Sequence, residues 1–160
     1  MRVVTIIGVI AVIAGGLLAG IYLGDRAGAT FARAELSPSS FIQFQHIQHI
    51  HFAKFMPFLA LGGLVATLLW AFMLSSHWRS VDFWLVSLSV GALLCGVVLT
   101  RVVNLPLNDL MMTWSVTAPP ADVRELWAPW ERVHTIRTTL SVVAFALQAV
   151  ALGLQIRAVP

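Results

Sequence analysis

The sequence predicts an all-α protein, an antiparallel four-helix transmembrane bundle, and three observations predict it. Hydrophobic residues make up 59% of the 160-residue chain and charged residues only 11%, against roughly 45–50% and about 25% in soluble domains. Four apolar runs of spanning length, 3–23, 55–74, 83–103 and 138–156, follow one another along it. About 20 apolar residues cross the roughly 30 Å of hydrocarbon as a helix, and in lipid only helices and closed barrels satisfy their own backbone. The connections are short or moderate, so consecutive spans are expected to pack against each other within a single integral membrane domain over 1–160. One cysteine, Cys95, excludes a disulfide scaffold and a thiolate zinc site. The net charge of +3 does not point to nucleic acid, because the ten Lys and Arg sit at the edges of apolar runs rather than on one solvated face.

The first run carries no charge and is longer than a signal-peptide core of 7–15 residues, so a retained helix is expected. Gly16, Gly20 and Gly24 repeat at four-residue spacing, which permits close helix packing. The second helix starts at Pro38 with serine capping and meets no strong breaker before Leu74 except Pro57. That is about 35 residues, or roughly 50 Å at the α-helical rise. The third span ends near Arg101–Asn104, where Pro106 is expected to unwind or kink the chain. The fourth helix starts after Pro119-Pro120-Asp122 and again runs about 35 residues, to Ile156. Helices two and four are therefore expected to extend beyond the membrane on one side, the side of both long connections. A count of basic residues gives Arg2, Arg79 and Arg157 on the short-connection side and seven on the other, but the seven are spread over far more chain. Several of them also fall in the candidate site, so we expect both termini in the cytoplasm and the chain in the plasma (inner) membrane.

Polar residues concentrate on the long-connection side. His46 and His49 are three apart on one helix face and His51 points roughly opposite; these three are the candidate ligands if a metal or haem is bound. The bland alternative is a helix end whose imidazoles bond to neighbours or water. Arg101, Asn104 and Asn108 share a face of the third helix end, with Asp109 and Glu131 as candidate partners for Arg101. Trp127, Trp130, Glu131, His134, Arg137, Thr138, Ser141 and Gln148 form one polar stripe with aromatic flanks on the fourth helix. A Glu, a His and an Arg at one-turn intervals can hold an acid/base site. His134, Arg137, Glu131 and Arg101 are the candidate catalytic residues, and Asn104, Asn108, Trp127 and Trp130 the candidate substrate-binding ones.

The segment Asn104-Leu105-Pro106-Leu107-Asn108-Asp109, followed by Trp127-x-x-Trp130-x-x-x-His134-x-x-Arg137, resembles the signature of the anthrone-oxygenase-like family. The Gln/His-rich approach to Met56-Pro57 is similar as well, and the resemblance covers essentially the whole chain. It implies a small four-span membrane protein. Fungal members oxidise anthrones to anthraquinones with molecular oxygen. One departure stands out: the family commonly shows Asn after the second Trp, where this chain has Glu131.

Three functions compete. A membrane oxygenase would take a lipophilic phenolic substrate, with His134 as base and Arg137 or Arg101 stabilising the anion. We place the cofactor-free version ahead of haem, iron or copper, because no spacing matches a specific metal motif. The alternatives are a ligand-binding or transport protein without chemistry, weakened by the lack of an internal repeat, and a structural subunit of a membrane complex. The expected partners are the lipid bilayer and a lipophilic small molecule, with a homo-oligomer left open.

Overall fold

The structure is a computed structural model and describes residues 2–157; Met1 and residues 158–160, the ends of the expected domain, lie outside the described residues. Among the described residues all regular structure is helical. Four rods form. α1 (Arg2–Gly24) passes through a π turn at Asp25–Ala29 into α2 (Thr30–Glu35). α3 spans Pro38–Leu74 and leads through a short 3-10 turn, Ser75–His77, to α4 (Val81–Leu99). A second π turn, Thr100–Asn104, joins α4 to α5 (Leu105–Met111), and α6 covers Val123–Arg157.

The starts follow from local chemistry. Ser37 is extended and its hydroxyl accepts from the Ser40 N–H, with Pro38 in the first helical turn. Ser80 caps α4 in the same way, accepting from Phe83 N–H. The third helix does not unwind at Pro106. The backbone widens into the π turn just before it, one turn back from the proline where an N–H is missing, and the rod runs on to Met111.

All four rods, of 33, 40, 31 and 35 residues, are long and apolar enough to cross a membrane. The chain is an integral membrane protein. The expected surplus length of the second and fourth helices is present, and the first and third share it. Asp25 and the Asn104–Pro106 segment look like ends in the sequence, but the π turns carry the helices past them. Trp70, Asp82 and Gln155 are hydrogen-bonded together at the short-connection end, so the surplus of every rod lies at the other end.

Contacts of the first rod with α6 run in opposite order along the two: Gly8 with Leu152, Gly15 with Gln148, Gly16 with Phe145, Tyr22 with Arg137 and Arg26 with Thr135. Gly8, Gly15 and Gly16 allow this close approach; a Cβ at Gly8 would press on the Trp70 ring at 2.9 Å. Gly20 and Gly24 face open space, so the four-residue repeat is not the packing seam. Three cores stack along the bundle. One, around Trp70, Val86 and Ala151, closes the short-connection end; a second, around Leu18, Leu64, Leu93 and Ala144, fills the middle. The third, around Phe41, Ile42, Met111, Trp114 and Trp127, caps the far end. Between the middle core and this cap the bundle is hollow.

Candidate functional site

The hollow is a cavity of about 410 Å³ lined from every rod. α6 contributes a column: Trp127 stacks on Trp130 and Trp130 on His134, each with ring centroids 4.8 Å apart, and Arg137 continues it one turn deeper. These positions share one face because their spacings of three and four residues follow the α-helical repeat. α1 contributes Tyr22, set edge-on to His134, and the π turn contributes Asp25. α3 contributes Gln45, Gln48 and His49 above an apolar wall that includes Phe52 and Met56. The third rod contributes Arg101, Asn104 and Asn108. Both π turns thus lie at the depth of the cavity, and such bulges re-aim side chains at functional sites.

Two cations are buried here, and they are held differently. The Arg33 side chain is 1% exposed; it makes a paired contact with Asp25 at 2.7 and 2.9 Å and reaches Glu131 at 3.0 Å. Gln48 donates to the same Asp25 carboxylate, and His134 Nε2 lies 3.2 Å from its other oxygen, outside hydrogen-bond alignment. Arg137 has only neutral partners. It donates to Asn104 Oδ1 at 2.9 Å and to the Tyr22 hydroxyl, with its guanidinium carbon 4.6 Å from the Tyr22 ring centre. Among the described residues no carboxylate lies within ion-pair distance of it. Asn104 is fixed in turn, since its amide donates to the Trp130 carbonyl at 3.4 Å.

Eight buried side-chain nitrogen or oxygen atoms among the described residues lack a hydrogen-bond partner, and six belong to cavity-lining residues. They are Gln45 Oε1, Trp127 Nε1, Trp130 Nε1, both His134 nitrogens and Arg137 Nε. Buried polar atoms normally find partners, and orphans gathered on one cavity mark a place for a ligand. A cleft of about 630 Å³ at the short-connection end, lined by residues such as His77, Asp82 and Gln155, carries none of them.

The structure therefore gathers Asn104, Asn108, Trp127, Trp130, His134, Arg137 and Arg101 around one space. It does not place Glu131 there. The Glu131 side chain turns outward to Arg33 and Thr30, because an ion pair to a buried guanidinium outweighs exposure to the cavity. Nor does Arg101 meet Glu131 or Asp109, the partners expected for it; it lies exposed at the rim. The three histidines separate. His46 bonds to the Met111 carbonyl, His51 is exposed, and only His49 lines the cavity. No group of three or more His, Cys, Asp or Glu suited to a metal occurs among the described residues.

Tyr22, Asp25, Arg33, Gln45 and Gln48 were missed as site residues. The signal lay in the sequence: Tyr22 is its one tyrosine and stands three residues before Asp25, its first carboxylate. The apolar run ends at Leu23, and only the π turn Asp25–Ala29 carries the same face on from Tyr22 to Asp25.

A family model described as anthrone oxygenase matches residues 44–147. No curated protein and no solved structure matches the chain. The matched stretch begins in α3 and ends in α6, so it holds Asn104, Trp127, Trp130, His134 and Arg137 but not Tyr22 or Asp25.

Proposed function

Because the chain belongs to the anthrone oxygenase family, we propose that it is a membrane oxygenase that converts a lipophilic phenolic substrate of the anthrone class to a quinone with dioxygen. One observation carries this reading: a buried guanidinium without a carboxylate, Arg137, stands one turn from an unpartnered imidazole, His134, in a cavity with aromatic walls.

The flat substrate lies along the edge of the Trp127–Trp130–His134 column, facing the apolar wall of Phe52 and Met56. With its proton on Nε2 toward Asp25, His134 has a free lone pair on Nδ1 and removes one methylene proton. The negative charge moves to the ketone oxygen, beside Arg137, where preorganised donors stabilise it without reorganising. The electron-rich carbon passes an electron to dioxygen and the two radicals combine, forming a C–O bond. The imidazolium protonates the resulting peroxide. His134 then takes the second hydrogen of the same carbon as a proton; the C=O bond forms, the O–O bond breaks, and the departing hydroxide recovers the proton as water. One dioxygen is consumed, one oxygen atom enters the quinone and the other leaves as water. This sequence needs no cofactor.

The test is oxygen uptake by the protein in lipid nanodiscs with 1,8-dihydroxyanthrone, followed together with the anthraquinone absorbance. Uptake equimolar with quinone and free of hydrogen peroxide, at a rate above spontaneous oxidation, is the expected result. A wild-type rate equal to the spontaneous one would overturn the reading.

We further place the protein in the plasma (inner) membrane with both termini in the cytoplasm. Of the seven basic residues at the cavity end, Arg33, Arg124 and Arg137 are committed to internal contacts. They therefore do not count as free topogenic charges. Single cysteines at Ser76 and Ser37 are expected to react with an impermeant maleimide only after lysis and in intact spheroplasts, respectively; the reverse pattern would invert the orientation.

A further inference from the structure

Exposure is uneven around the cavity. Arg137, Asn104, His134 and Trp127 are buried, whereas the exposed lining residues, Ala53, Pro57, Leu61 and Arg101, all lie on α3 or on the π turn after α4. The mouth is therefore the seam between α3 and the third rod. Its outer neighbours Phe58 and Val102 are 79% and 67% exposed, so it faces hydrocarbon. Pro57 adds a polar mark to this apolar edge, because it offers no N–H to the Ala53 carbonyl one turn back.

Arg101 stands on this rim without a hydrogen bond or ion pair to any described residue. The cavity's one carboxylate, Asp25, is already taken by Arg33. Asn108, two turns further along the third rod, also lines the cavity and has no side-chain partner. A guanidinium at a hydrocarbon-facing seam is costly unless it meets an anion or reaches the interface. The cavity thus presents one unpaired cation deep inside and a second at its mouth.

We propose that Arg101 is a specificity-determining residue: it holds a carboxylate on the outer end of a flat aromatic ligand that slides in from the bilayer through the α3 seam, while the inner end lies at Arg137. The ligand is then an amphiphilic aromatic acid. A planar guanidinium matches a carboxylate with two parallel hydrogen bonds, and the free Asn108 amide supplies a further donor. For substrate turnover this rests on the oxygenase reading; for binding it does not.

The test pairs anthraquinone-2-carboxylate with its neutral carboxamide, bound to protein in phosphatidylcholine nanodiscs and read by quenching of tryptophan fluorescence. Wild-type protein is expected to bind the acid about ten-fold more tightly, the scale of a hydrogen bond to a charged group. Arg101→Gln should bring the two within about two-fold, the carboxamide itself being unaffected, and Arg101→Lys should keep part of the preference. Equal binding in the wild type would overturn the proposal. That is the outcome if a lipid phosphate occupies this arginine; an acid preference that survives Arg101→Gln would overturn it as well. With the corresponding anthrones, Arg101→Gln should raise KM for the acid about ten-fold more than it raises KM for the carboxamide. An acid preference in binding with no oxidation sinks the oxygenase reading alone; oxidation with no acid preference sinks the role of Arg101 alone.

Discussion

Arg137→Met is expected to lower the oxidation rate by about 10²–10³, the loss seen when one preorganised donor to a developing oxyanion is removed. Methionine keeps the length and apolar stem of the side chain, so the stripe from His134 to Gln148 stays packed. What it removes is, among the described residues, the one buried cation without a carboxylate partner. Arg137 is 7% exposed and its guanidinium is anchored on both sides, by Asn104 Oδ1 and the Tyr22 hydroxyl, so it needs no movement when charge appears on the substrate. That fixed placement is also why Asn104→Leu should reduce the rate by a smaller factor: it frees the guanidinium without removing it. His134→Ala should match or exceed the Arg137 effect, since a positioned base contributes about 10²–10⁴ and this one acts on both C–H bonds. The reading fails if Arg137→Met turns over within a few fold of wild type while binding the substrate normally.

The fold was legible because the decisive signals are strong and local. Apolar runs of spanning length cannot be anything but membrane helices in this composition, and Pro38 and Pro119-Pro120 mark real starts. The α6 face was legible for the same reason, since its residues are spaced by three and four on an uninterrupted helix; Trp127, Trp130 and His134 do stack in one column, and Arg137 lies on the same face one turn on. The remainder of the site depends on tertiary proximity, which spacing does not encode. Asp25 and Arg33 come together because eight residues of π and α helix separate them, a distance in turns that a regular helix would not give. Glu131 shares the α6 spacing but is drawn away by Arg33, from a rod the sequence made too short. The misses at Tyr22, Asp25 and Arg33 trace to a π turn read as a helix end, whereas the scatter of His46, His49 and His51 and the open face of Gly20 and Gly24 turn on which neighbour packs where.

Arg33→Met is the substitution expected to cost most stability, about 3–5 kcal/mol, because removing one partner of a buried ion pair strands the other. Two carboxylates are stranded here: Asp25, about 10% exposed and beside His134, and Glu131, about 24% exposed and further relieved by water. Arg33 also joins the first rod to α6 through Glu131, and Arg124 donates to the Arg33 carbonyl from the same helix. Loss of the guanidinium therefore loosens the far end of the bundle as well. Unfolding in mixed micelles would measure it; a loss below about 1 kcal/mol would reduce the pair to the value of an exposed surface bridge. Adding Asp25→Asn should recover most of the lost stability, since no deeply buried charge is then left alone. The double variant should nonetheless stay inactive. Its Asn side chain offers no negative charge to the imidazolium that His134 becomes after proton removal, so proton transfer remains unfavourable in a fold that has been repaired. Stability and activity thus separate at one residue, and recovery of both in the double variant would show that Asp25 serves the fold alone.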